Sequence, residues 1–187
     1  MKSIKQFIQT HVDADFQAED TLPFICHQKA IPKNTLITRY GQTERYAYFL
    51  LSGIVKISML RDDGQERVLE FFFPGSFFSA YTSFLTAEAA DVEIEALCDC
   101  EVEMISHSDM QQAYKHSLLA NKLGRIVAEH YYIRKTNREK DFLTKSATER
   151  YTELLTRRPE QQIPVQLTAR YLGIEPESLS RIRKMIS

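Results

Sequence analysis

The chain has 187 residues, 43% of them apolar and 26% charged, which is the composition of a globular protein and not of a disordered chain, a collagen or a coiled-coil rod. No apolar run reaches the roughly 18 residues of a membrane-spanning helix, and Met1 to Phe7 lack the apolar core of a signal peptide. Three cysteines, Cys26, Cys98 and Cys100, are too few for a disulfide framework, so a cytoplasmic protein with no membrane partner is expected. The net charge of −1 hides an asymmetry. Residues 1–120 carry 10 Lys/Arg against 17 Asp/Glu, whereas residues 121–187 carry 14 against 8. Only the second part would attract a polyanion, although a solvated basic helix face would give the same count.

In chain order, residues 3–21 read as a helical lead-in. Gly41, Gly53, Gly64 and Gly75 then recur every 11 or 12 residues. Between them lie strand-like runs at Thr35 to Thr38, Tyr46 to Leu51, Ile54 to Leu60 and Glu66 to Phe73, the spacing of an antiparallel sandwich or barrel. Asp62-Asp63-Gly64-Gln65 is a hairpin signal, because glycine supplies the positive φ of a tight turn. Val92 to Leu97 and Cys100 to Ile105 alternate apolar with acidic residues, as half-buried strands do. Residues 27–106 therefore predict a small all-β domain of jelly-roll type.

From Asp109 to Leu143 the period changes to that of a helix, with one glycine, Gly124, and no proline. Leu119, Leu123, Ile126, His130 and Ile133 form a narrow apolar stripe at steps of three and four. A stripe longer than the β domain could cover suggests packing against a second copy, with these five residues as the dimer interface. A helix lying along its own β domain is the alternative. Further on, Ser146 with Glu149 makes a capping box, Pro159 ends that helix, and Ile163-Pro164 introduces another from Val165 to Leu172. Gly173 supplies a turn, and a last helix from Pro176 to Ile186 points Leu179, Ile182 and Ile186 inward. Helix, glycine turn and helix with an Arg-rich outer face is the pattern of a helix-turn-helix.

Taken together, Tyr46 to Lys56, Asp63-Gly64-Gln65-Glu66, Phe73-Pro74-Gly75-Ser76-Phe77-Phe78, Ala169 to Ile174 and Glu177 to Lys184 resemble the superfamily of the cyclic-AMP receptor protein and the fumarate–nitrate regulator. Ala147-Thr148-Glu149-Arg150-Tyr151 and the closing motif are similar to its Bacteroidetes branch. The resemblance covers about residues 25–187 and implies an α+β chain in three parts. Residues 1–108 would hold an N-terminal helix and a jelly-roll β-roll of the cyclic-nucleotide-binding type, 109–143 a long dimerisation helix, and 144–187 a short helix-turn-helix domain. The implied function is a homodimeric DNA-binding transcription regulator, not an enzyme. Its partners would be a second copy, an inverted-repeat operator in double-stranded DNA, and RNA polymerase as a further candidate.

The family's phosphate-binding cassette carries Gly-Glu and Arg-Ser pairs. A gapless alignment puts Ser79-Ala80 and Ala90-Asp91 in their places. A buried phosphate without a cation is costly, and Asp91 would repel it, so cyclic AMP is not expected as a cofactor. Arg67 is the substitute cation to consider. The degenerate pocket would comprise Phe78, Ser79, Ala80, Tyr81, Ala90 and Asp91, with Lys135 and Thr136 matching helix positions that touch ligand in the family. Phe71, Phe73, Phe77, Phe78, Tyr81 and Phe84 would line a site for a planar molecule or simply fill the core.

On the last helix, Glu177 and Arg181 match the family's base-reading positions, and Ser178, Ser180, Arg183 and Lys184 would hold phosphates. A Glu177–Arg181 ion pair on a solvated helix is the plainer alternative. Glu175 stands where a Ser, Thr or Asp cap would be better, and with no β-wing after Ser187, binding would lean on dimer avidity. The five histidines have no metal-ligand spacing, Cys98 and Cys100 share a strand face without the four cysteines of an iron–sulfur site, and no nucleophile–base set stands out. A small-molecule sensor acting through a protein partner, without DNA binding, is the second functional reading.

Overall fold

The computed structural model describes residues 3–61, 64–157 and 163–186. A short helix α1 (Ile4–His11) leads into strands β1 (His27–Ile31), β2 (Leu36–Thr38), β3 (Tyr46–Ser52), β4 (Val55–Leu60), β5 (Glu66–Phe72) and β6 (Phe77–Phe78). Helix α2 (Tyr81–Thr86) and strands β7 (Glu93–Ala96) and β8 (Cys100–Ser106) follow. The chain then becomes helical: α3 (His107–His116), α4 (Leu118–Thr144), α5 (Ala147–Arg157), α6 (Val165–Leu172) and α7 (Pro176–Ile186).

The strands make two antiparallel four-stranded sheets in the orders β1-β8-β3-β6 and β2-β7-β4-β5. Four consecutive residues of β3 are buried because both faces of its sheet are covered. Tyr48 and Leu50 point into the interior of the roll beside Val55, Phe72 and Ile94. Phe49 and Leu51 point the other way, into a second core formed with Ile4 and Ile8 of α1 and Leu123 of α4. That outer cover also explains Glu103. Its strand alternates as expected, yet Glu103 is buried and its carboxylate accepts a hydrogen bond from the Ile4 backbone N–H at 2.7 Å.

The helical lead-in is shorter than residues 3–21. It stops at His11, and the acidic segment after it makes local bonds instead: Asp13 accepts from the Asp15 N–H at 3.2 Å and Asp20 from the Gln17 N–H at 2.8 Å. Short acidic side chains compete with the helix in this way. The single helix expected over 109–143 is two. Ser117 is extended (φ −130°, ψ 119°), and its hydroxyl caps α4 by accepting from the Ala120 N–H at 3.2 Å. Gly124 lets the two helices close, since a Cβ there would lie 2.8 Å from the Tyr114 ring.

The start of α4 also packs on its own domain. Leu123 is buried in the outer core, Leu119 and Ile126 pack against it, and His130 meets the rings of Phe7 and His11 at 5.9 and 5.7 Å. Leu119, Leu123 and Ile126 of the expected dimer stripe therefore pack on their own domain, because α1 brings apolar surface to them, while His130 is exposed and touches α1 alone among these rings. Ile133 remains 54% exposed, with Leu118, Tyr132 and Leu143 at 73%, 71% and 80%.

At the C-terminal end, the Ser146–Glu149 capping box forms, with Ser146 N–H donating to the Glu149 carboxylate at 2.7 Å and Glu149 N–H to Ser146 Oγ at 3.3 Å. Pro159, Asp62, Asp63 and Ser187 lie outside the described residues; Gly64 has the positive φ expected of the hairpin, +78°. Leu179 and Ile182 are buried with Tyr151, Ala169 and Leu172 in a separate small core. Ile186, expected inward, is 43% exposed, since it lies at the helix end beyond the last buried turn.

Candidate functional site

Helices α6 and α7 are joined through Gly173, whose φ of +74° caps α6 in the left-handed conformation. Burial of Leu179 and Ile182 fixes which face of α7 looks outward. Glu177, Ser178, Ser180, Arg181 and Lys184 are exposed on that face. Glu177 and Arg181 are four residues apart and so project together; among the described residues no ion pair joins them. Two expected phosphate ligands have intramolecular roles. The Ser180 hydroxyl donates to the Pro176 carbonyl at 3.0 Å. Arg183 Nε donates to Tyr151 Oη at 2.9 Å, which ties α7 to α5.

The second feature is a cavity of about 890 Å³ between the β-roll and α4. Ser79, Ala80, Tyr81, Asp91 and Lys135 line it, as expected, together with Phe72, Tyr131 and Arg134. Phe78 and Ala90 sit behind it in the core of the roll, and Thr136 is not part of its wall. Phe71, Phe77, Phe78 and Phe84 are buried, so most of the aromatic cluster fills core.

The cassette segment is already engaged by α4. The Ser79 N–H donates to Tyr131 Oη at 3.1 Å, and the Tyr131 ring stacks on Tyr81 with centroids 4.7 Å apart. Burial pushes both phenols above their usual pKa, so both stay neutral at physiological pH. The cations nearby come from α4, not from the cassette. Arg134 lies over the Phe72 ring at 5.0 Å, and Arg138 donates to the backbone carbonyls of Tyr171 and Val68 at 2.8 and 3.3 Å. Arg67 is elsewhere: its guanidinium lies against Gly173, at the turn between α6 and α7.

Tyr131, Arg134 and Arg138 are invisible to pattern reading, since nothing in their spacing marks which face of α4 meets the cassette. Their one sequence-level signal is the density of Tyr and Arg between positions 131 and 138. Among the described residues, no group of three His, Cys, Asp or Glu is placed to hold a metal ion, and no helix is long and apolar enough to cross a membrane. Burial raises the Cys26 and Cys100 thiols to about 11, far from the range of reactive cysteines.

Fold and site together define a β-roll domain joined by helices to a helix-turn-helix arrangement. Residues 28–117 match the cyclic nucleotide-binding domain family. The CRP-like protein Clp of Xanthomonas campestris pv. campestris (strain B100) is 30% identical over 92 residues, 49% of this chain and 40% of that protein. The matched stretch thus spans well under half the length of the curated relatives. Two solved structures share the fold. The c-di-GMP responsive global regulator CLP of X. campestris has a TM-score of 0.67 at 24% identity, covering 86% of both chains. FixK2 of Bradyrhizobium japonicum has 0.72 at 21% identity, covering 87% of this chain and 84% of that one. A solved putative transcriptional regulator of the Crp/Fnr family from Eubacterium rectale also shares the fold, with a TM-score of 0.69 at 15% identity, covering 100% of this chain and 83% of that one.

Proposed function

We propose that the chain is a homodimeric DNA-binding transcription regulator whose β-roll is a degenerate cyclic-nucleotide-type sensor. The observation that carries this reading is the exposed outer face of α7, where Glu177 and Arg181 project together from a helix-turn-helix held by its own core. Arginine reads guanine O6 and N7 with two hydrogen bonds, and glutamate accepts from cytosine N4. Lys184 and Ser178 supply phosphate contacts beside them. Two copies would place their α7 helices in successive major grooves about 34 Å apart, on an inverted repeat. Residues 121–187 supply the positive balance that such an interface uses.

The sensor is degenerate because its cassette offers no cation and a backbone donor of that segment is already committed. The Ser79 N–H bonds Tyr131, no arginine comes from the cassette, and Asp91 stands exposed at the rim. An aromatic wall of Phe72, Tyr81 and Tyr131 suits a planar, weakly charged occupant better than a cyclic phosphate.

The test is a pair of substitutions read on operator and random duplexes. Arg181→Ala should cost about 1–3 kcal/mol on the operator and relax preference at one base pair, whereas Lys184→Ala should weaken all sequences alike and lower the salt slope by about one. Equal loss on both duplexes for Arg181→Ala would remove its base-reading role.

A further inference from the structure

Strand β5 is an edge of its sheet, and an open edge is normally covered or charged. Here α6 covers it. The Arg170 guanidinium meets Glu66 at 2.5 Å, the Tyr171 ring packs on Phe71 at 5.0 Å, and the Tyr171 hydroxyl donates to Glu70 at 3.3 Å. Arg138 of α4 lies between the two elements. Its guanidinium stacks over the Tyr171 ring at 3.8 Å and donates to a carbonyl on each side, Tyr171 on α6 and Val68 on the β5 edge.

The contact reaches into the roll. Glu66 also binds Lys56 of β4, a buried lysine that holds Glu95 of β7 at 2.9 Å. An alternating line of charges, Glu95, Lys56, Glu66 and Arg170, thus runs from the strand after the cassette to the first helix of the helix-turn-helix. Arg138 and Glu70 line the α4 cavity as well. Throughout, the outer face of α7 stays exposed.

We propose that β5 and α6 form a latch, pinned by Arg138 and closed by the Glu66–Arg170 ion pair, that fixes the orientation of the helix-turn-helix on the β-roll with its reading face outward. Several weak contacts act together here: a lone exposed ion pair contributes little, but a guanidinium stacked and hydrogen-bonded to two backbone carbonyls is geometrically demanding. The consequence for DNA rests on the function proposed above. A fixed orientation in each protomer sets the distance between two reading helices, so the latch selects one half-site spacing.

Amide hydrogen exchange on the full chain, without DNA, tests the latch directly. Arg138→Gln and Arg170→Glu should speed exchange of the β5 edge amides about tenfold while β3 and β8 keep their protection, because only the local cover is lost. Arg170→Lys, which keeps the charge, should stay near the parent. Unchanged β5 exchange in both disruptive variants would overturn the latch. Should Arg138→Gln fail to fold, Arg170→Glu alters a half-exposed side chain and still decides the matter. Operator selection supplies the second arm: the parent should enrich a single spacing, and Arg170→Glu several spacings of the same half-site. An opened latch with unaltered spacing would refute its orienting role. No enrichment by the parent would count against DNA reading and leave the exchange result standing.

Discussion

Gly53 has φ +95°, and a Cβ there would lie 2.8 Å from the Asp99 carbonyl oxygen and closer still to Cys100 Sγ. Neither neighbour can yield, since one is backbone and the other is buried. Gly53→Ala should therefore cost about 2 kcal/mol or more through strain and clash, a fall in Tm of several degrees measured by thermal denaturation. An unchanged Tm would mean that the β3–β4 turn and β8 can separate freely. Arg183 teaches a different lesson at this scale. Its charge and position fit a phosphate ligand, yet its Nε bonds Tyr151, and a single sequence does not reveal which of the two arginines of α7 has an intramolecular partner.

At the scale of elements, α4 divides its face between two tasks. Leu123 is buried, so Leu123→Ala should destabilise the fold by about 2–5 kcal/mol without changing association. Leu143 and Tyr132 are eleven residues apart, three helical turns, and so share one face; both are mostly exposed. Leu143→Glu should shift sedimentation toward the monomer while leaving Tm nearly intact. The opposite pattern would return the dimer contact to the N-terminal half of the stripe. Strands β2, β3, β4, β5, β7 and β8 were legible because glycine spacing and period-2 alternation are local signals, and each lies within a residue of its expected run, whereas β1 and β6 had no run of their own in the pattern. The Ser117 break and the reach of α1 were not. Whether a serine caps a new helix or sits inside an old one depends on tertiary packing, as does which stretch of an apolar stripe meets its own domain.

The charged junction between β5 and α6 gives the whole molecule a pH dependence. Burial alone would raise the Glu66 pKa, but hydrogen bonds from Lys56, Ser58 and Arg170, with the charge of Lys56, outweigh it and hold the carboxyl below its usual value. The folded pKa is thus lower than the unfolded one of about 4.3. The stabilisation is present above that unfolded value and is lost as pH falls through the folded one. Denaturation from pH 6 to 3 should show a steeper loss for the parent than for Glu66→Gln; equal slopes would mean that Glu66 gains nothing from its partners. The helix-turn-helix itself was readable from Gly173 and the inward Leu179 and Ile182, whereas the contact that orients it joins residues a hundred positions apart, beyond any local pattern. The central claim, a DNA-reading dimer freed from cyclic AMP, is tested most directly by selection from random duplex DNA at fixed salt, with and without the nucleotide. We predict one inverted repeat, enriched equally in both arms. Enrichment only with cyclic AMP would contradict the degenerate cassette, and no enrichment in either arm would contradict the DNA reading itself.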